Sequence, residues 1–219
     1  MKQLLFCLIL FSSLLLKSQD RAPKLPRFST RINCGIPKYV SSELLYSTFH
    51  GVLVADVNLN YRLFSNYFIG VGYSFSYSQA EKELRDQFIH PHTETHNGFL
   101  KIGYDSFFSA TGFATFSINA GLNYTTFKGI MCKNDTLIGQ FPTQFNCPFV
   151  EPQIGLYYFV ESHVAIGGNI GYNFNFIKFD SRYSCTENRL SGQGKMKNNW
   201  NISSINLSFG MYIGLGKMK

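Results

Sequence analysis

The chain has 219 residues, enough for one β domain of ordinary size and too few for two large ones. Charged residues make up only 15%, against roughly 25% in a usual soluble domain, while aromatics reach 16% with 22 Phe and 13 Tyr. The formal charge of +7 is not gathered into any nucleic-acid-binding motif, and no window after the N-terminus approaches 18 consecutive apolar residues, so a nucleic-acid partner and a transmembrane helix are both excluded.

Met1 and Lys2 lead into LLFCLILFSSLLL, residues 4–16, followed by Lys17, Ser18 and Gln19. A short positive start and an apolar run too short to cross a bilayer as a helix read as a secretory signal over 1–19. Cys7 lies inside that run instead of at its end, which argues against a lipoprotein. Loss of Lys2 and Lys17 leaves 18 of the 20 basic residues against 13 acidic ones, a formal +5. Residues 20–27, DRAPKLPR, carry two prolines and read as an extended periplasmic leader, and residues 28–219 form the remaining domain.

That domain is a succession of alternating segments. Phe28 to Gly35 is the weakest, with Phe28, Thr30, Ile32 and Cys34 opposite Ser29, Arg31 and Asn33. Leu53 to Leu63 sets Leu53, Ala55, Val57, Leu59, Tyr61 and Leu63 against Val54, Asp56, Asn58, Asn60 and Arg62. Three residues later Tyr67, Ile69, Val71, Tyr73, Phe75 and Tyr77 oppose Gly70, Gly72, Ser74, Ser76 and Ser78, as a strict period of two requires of paired strands. Gly98 to Phe108 and Phe113 to Phe127 form a second hairpin around SATG, and the latter strand has the cleanest alternation in the chain. Cys147 to Val160 and Val164 to Ile177 form a third around Glu161, Ser162 and His163. There Pro152, lacking an amide proton, is expected to cost a ladder bond. Ser203 to Gly216 closes the series.

The spacing predicts eight strands with connections of 14, 3, 19, 4, 19, 3 and 21 residues, long and short in turn. Such alternation, with an even strand number, belongs to an all-β, eight-stranded antiparallel up-and-down transmembrane β-barrel. Alternation does not say which face is inside. Here the polar face is mostly Gly, Ser, Thr and Asn, which suits a crowded lumen, while the opposite face carries the bulky Tyr and Phe that suit lipid and its interfaces. A soluble barrel would reverse this, with its apolar face in the lumen and charge outside.

The Gly- and Asn-dotted strands GVLVADVNLNYRLF, FIGVGYSF and AIGGNIGYNFNF behind a secretory signal resemble the small outer-membrane β-barrel proteins of the OmpA-like, OmpX-like and PorT-like group, particularly the Bacteroidetes type. The resemblance covers nearly all of the mature chain. It implies a location in the Gram-negative cell outer membrane, contact with outer-membrane lipid and lipopolysaccharide, and insertion by the barrel-assembly machinery. A structural, porin-like, adhesive or secretion-accessory role would follow, with an extracellular or periplasmic protein partner. The chain ends Gly216, Lys217, Met218, Lys219 where such chains often end on an aromatic residue.

Four groups of residues are candidates for more than wall-building. The mature cysteines are Cys34, Cys132, Cys147 and Cys185; export permits disulfides, and Cys132–Cys147 with Cys34–Cys185 is the favoured pairing, free thiols being the alternative. His90, His92 and His96 with Glu94 form HPHTETH in an expected loop, a set able to bind zinc or copper but without preformed geometry, so no metal or cofactor is expected. Asp56, Arg62, Lys101, Asp105 and Glu151 fall on the lumen face. Since buried charges must pair and an eight-stranded lumen is just filled by side chains, they read as a structural network, with a proton or ion path as the alternative. Ser184 and Glu187, with the loop histidines, are the only material for a lipid A hydrolase or acyltransferase on the same barrel, and no nucleophile motif links them. The expected function is therefore a non-enzymatic anchor presenting surface loops.

Overall fold

The computed structural model describes residues 25–40, 49–64, 66–80, 92–133, 136–179 and 200–216. Eight strands run through them: β1 (Phe28–Tyr39), β2 (Phe49–Phe64), β3 (Tyr67–Ala80), β4 (His92–Phe107), β5 (Gly112–Lys133), β6 (Thr136–Glu161), β7 (Val164–Phe179) and β8 (Trp200–Leu215). Each pairs antiparallel with its sequence neighbours, and β1 closes against β8 from Phe28↔Leu215 to Tyr39↔Ser204. The sheet has no edge, so every strand finds its backbone partners inside the barrel, as a bilayer requires.

The weakest strand of the sequence is thus a full member of the wall, bonded to β2 on one side and β8 on the other. Several strands also run further than their alternation suggested. β4 begins at His92, so HTETHN is strand and not loop, and β5 and β6 climb together until Lys133 meets Thr136, turning the expected 128–146 loop into a long hairpin. Both misreadings have one cause. HTETHN is polar at every position and 128–146 mixes apolar and polar residues at both parities, so hydrophobic alternation does not mark either as strand. Pro152 behaves as its chemistry requires: the β6–β7 ladder skips from Val150↔Phe174 to Gln153↔Gly171 around it.

The period of two sorts side chains into two environments. Outside, Val57, Leu59, Ile69, Val71, Leu100, Ile102, Leu122, Ile154, Ile170 and Leu207 form a continuous exposed apolar surface, reaching 68% exposure at Leu100 and 70% at Leu122. Burying one such side chain is worth about 1.5–3 kcal/mol, and soluble monomers rarely expose apolar patches beyond a few hundred Å². A wall of this composition belongs in hydrocarbon. Inside are buried Asn, Ser, Thr and charged residues.

At the short-turn end the lumen is closed by an apolar cluster of Leu25, Phe107, Phe113, Tyr157, Ala165 and Tyr212, with Phe159 against it. Phe113, fully buried, stacks on Tyr157 at 5.2 Å with the rings 13° apart and meets Tyr212 edge-on at 5.4 Å. Leu25 comes from the leader, which is tied to β2 by the Arg62 amide donating to the Arg27 carbonyl at 2.7 Å.

Candidate functional site

Directly above the aromatic cluster sits the most deeply buried charge among the described residues. Asp105, 0% exposed, lies near the end of β4, and inward positions of β1 and β2 bring two guanidinium groups to it. Arg31 Nη2 donates to Oδ1 and Arg62 Nη2 to Oδ2, each at 2.7 Å, and the Thr115 hydroxyl donates to Oδ1 at 2.7 Å. Arg31 is also enclosed by rings, its guanidinium carbon 4.5 Å from the Phe68 centroid and 5.6 Å from those of Tyr157 and Tyr212. A delocalised, weakly hydrated guanidinium tolerates such a cage better than an ammonium would.

One layer higher the remaining charges are held by amides in two sets. Asp56 Oδ1 accepts from Asn33 Nδ2 at 2.8 Å and Asn58 Nδ2 at 3.0 Å. Lys101 Nζ donates to Gln153 Oε1 at 2.9 Å, and Gln153 Nε2 passes the link to Glu151 Oε1 at 3.0 Å. Asn206 Nδ2 also reaches Glu151 Oε1, at 3.1 Å. Asn33 completes the layer by accepting on Oδ1 from Asn169 Nδ2 at 2.8 Å and the Tyr157 hydroxyl at 3.2 Å. Its neighbour on β8 has to be Gly210, because a Cβ there would overlap Asn33 Oδ1.

All five lumen residues singled out in the sequence therefore point inward, but as two groups. Asp105 and Arg62 belong to the lower one; Asp56, Lys101 and Glu151 belong to the upper one, where Gln153 bridges Lys101 to Glu151 and Asn33 and Asn58 hold Asp56. The sequence reading missed Arg31, although its place on the polar face of the first strand was visible. With it, the described lumen balances three cations, Arg31, Arg62 and Lys101, against three carboxylates, Asp56, Asp105 and Glu151.

The favoured disulfide pairing is not found among the described residues. Cys34 is a free thiol on the outward face of β1, between Ala55 and Phe209, and Cys147 is a free thiol buried on the inward face of β6 opposite Asn123. Cys132 pairs with Leu137 nine residues further up β5 than Asn123. At about 3.3 Å per residue that places it roughly 30 Å from Cys147, against a limit near 7 Å for bridged Cα atoms. Cys185, the other half of the second expected bridge, lies outside the described residues. The sequence showed spacing but not that the connection between Cys132 and Cys147 is built of strands.

The HPHTETH segment is corrected likewise. His90 lies outside the described residues, but His92, Glu94 and His96 project from the outward face of β4, where successive outward residues stand about 6.6 Å apart. His92 Nε2 lies 3.3 Å from Glu94 Oε1, which also accepts from Lys128 Nζ at 3.0 Å. His96 hydrogen-bonds Tyr73 and packs on Phe75 at 5.2 Å. Among the described residues no group of three or more His, Cys, Asp or Glu could hold a metal ion. Ser184 and Glu187 lie outside the described residues.

No protein-family model matches the chain, and no curated protein matches it in sequence. Solved structures do match in shape. Neisserial surface protein A superposes with a TM-score of 0.57 at 16% identity, covering 86% of this chain and 97% of its own. A major outer membrane protein from Thermus thermophilus gives 0.53 at 12% identity, covering 86% and 98%. At these identities the likeness carries the closed barrel alone.

Proposed function

We propose that this chain is an integral outer-membrane barrel of the small OmpA-like and OmpX-like kind, acting as a non-enzymatic anchor that presents its long-loop end at the cell surface, in contact with lipopolysaccharide and for adhesive or secretion-accessory use. The observation that carries this reading is the lumen. Its charges are matched three to three, its cross-section is crossed by linked side chains, and its short-turn end is plugged by Phe107, Phe113, Tyr157 and Tyr212. A lumen crossed by side chains is the steric expectation for eight strands and supports an anchor. The apolar outer wall and the likeness in fold to the neisserial surface protein and the Thermus outer membrane protein support the location.

The reading is tested by cell fractionation combined with protease added to intact cells. Recovery in the detergent-extracted outer-membrane fraction is expected, with cleavage of the chain by protease added from outside. Release into the soluble periplasm would overturn the anchor. So would hydrolysis or acyl transfer on purified lipopolysaccharide that disappears on replacing His92 or His96, since this would establish a lipid-modifying enzyme instead.

A further inference from the structure

The outer wall carries, toward its long-loop end, a row of basic and amide side chains that wall-building does not require. Strand pairing sets them side by side: His50 on β2 faces Gln79 on β3, Gln79 faces His92 on β4, and His92 faces Lys128 on β5. On β1 the Pro37 backbone lies against Gly51, which brings Lys38 beside His50. Lys38 and His50 are exposed and Gln79 and His92 half-buried, while their chain neighbours Pro37, Phe49 and Ser78 are buried on the lumen side. With strands about 4.8 Å apart, Lys38 to His92 spans about 14 Å of one face.

The register fixes the height of this row. A line across the ladders from Phe28 passes Tyr61, Ile69, Ile102 and Ile118, crosses β6 at Pro152, and runs on through Tyr172 and Ile205 to meet β1 again at Lys38. From Phe28 to Lys38 is a rise of about 33 Å along β1 at about 3.3 Å per residue. At a strand tilt of about 40° that is about 25 Å along the bilayer normal, the height of the apolar band on an outer-membrane barrel. Phe28, packed on Tyr61 at 5.0 Å, marks the lower edge of the band, and Lys38 stands at its upper edge. Each further strand along the row climbs about 3 Å, because a sideways step of about 4.8 Å is inclined by the same tilt. His50, Gln79 and His92 therefore lie in the layer where lipid headgroups begin.

The charge here is one-sided. Glu94 is the only outward carboxylate at this end among the described residues, and Lys128 Nζ donates to its two oxygens at 3.0 and 3.2 Å. His92 Nε2 lies 3.3 Å from the same carboxylate, and Gln79 Nε2 donates to the Tyr77 hydroxyl at 3.2 Å. With Glu94 matched by Lys128, Lys38 and the two imidazoles make the described rim net positive. On the opposite wall β7 and β8 present Tyr172, Phe176 and Ile205 toward the same end. We propose that the β1–β4 rim binds the phosphate of an anionic lipid headgroup in the outer leaflet, with Lys38 and His50 at its centre and Gln79 and His92 beside them. The inference rests on the outer-membrane reading and adds to it a face, a set of residues and a chemistry. Basic side chains at this depth attract an anionic headgroup, while its acyl chains lie along Val57, Leu59 and Val71 below.

The test is NMR of the full barrel folded in phosphatidylcholine micelles, titrated with short-chain phosphatidic acid and, separately, with inorganic phosphate. Saturable amide shifts at Lys38, His50, Gln79 and His92 are expected with phosphatidic acid, with Tyr172 unmoved and no saturable shift with inorganic phosphate. Lys38→Gln should weaken binding by about fivefold, the effect of one basic residue at an anionic surface. Glu94→Gln, which removes the carboxylate and releases Lys128, should strengthen it by up to about fivefold. An unresponsive row, equal shifts at Tyr172, an equal response to inorganic phosphate, or an unchanged midpoint in Lys38→Gln would overturn the proposal. An unresponsive row in a barrel that fractionates with the outer membrane removes the lipid site and leaves the anchor; release into the periplasm removes the anchor, whatever the titration shows.

Discussion

Replacing Asp105 by Asn keeps the shape of the side chain and removes its charge, leaving Arg31 and Arg62 facing each other across a neutral amide in a site with 0% exposure at position 105. Two charge-assisted hydrogen bonds of 2.7 Å are each worth about 1.5–3 kcal/mol, and breaking a buried pair from one side costs about 3–5 kcal/mol because a charge is left uncompensated. With a urea slope of about 2 kcal/mol/M, a loss of about 4 kcal/mol lowers the midpoint of unfolding by about 2 M. The assay is urea unfolding of the barrel folded in lipid vesicles, followed by the gel mobility that distinguishes folded from unfolded barrels. The partly exposed ion pair at the rim provides the contrast: Lys128 is 48% and Glu94 29% exposed, so Glu94→Gln should cost no more than about 1 kcal/mol. If Asp105→Asn shifts the midpoint no more than Glu94→Gln does, the two guanidinium groups are not held by this carboxylate and the account of the lower lumen is wrong.

Three further outcomes follow from the packing. Phe113→Ala, which removes the ring shared by Phe107, Tyr157, Phe159 and Tyr212, should destabilise the barrel by about 3–5 kcal/mol in the same urea assay, with a loss under about 1 kcal/mol counting against the plug. Leu100→Arg, on the outward wall between Val71 and Ala120, should cost about 2–4 kcal/mol in vesicles, the penalty for arginine near the bilayer midplane; no penalty would place that wall in water. Cys34 should be alkylated by an apolar maleimide and spared by a charged one in intact vesicles, as read by peptide mass, and recovery of Cys34 in a disulfide would contradict its place on the outward wall.

Much of this architecture could be read from the chain because inside a bilayer the two faces of a strand meet opposite solvents. Phe113 to Phe127 alternates through the hydrocarbon, and its inward Thr115, Ser117, Asn119 and Asn123 are buried as the pattern implies. His92 to Asn97 is polar at every position and the upper part of the β5–β6 hairpin mixes apolar and polar residues at both parities, so neither carries the alternating signature and both read as loop. The lumen charges were legible one by one from parity, whereas their grouping depended on register: Arg31 meets Asp105 across 74 residues of sequence, a distance no local pattern reports. Cys132 and Cys147 failed for the same reason, since pairing them by loop length assumed a loop.

The central claim is that the apolar face looks out into lipid and the polar face into a closed lumen. A nitroxide at Leu100→Cys, with the other cysteines replaced by Ala and the barrel in lipid vesicles, tests it most directly through collision with oxygen, which concentrates in hydrocarbon, and with a water-soluble nickel chelate. High oxygen and minimal nickel accessibility are predicted for this 68% exposed position. The reverse, nickel exceeding oxygen, would put the Leu100 wall in water and contradict the account.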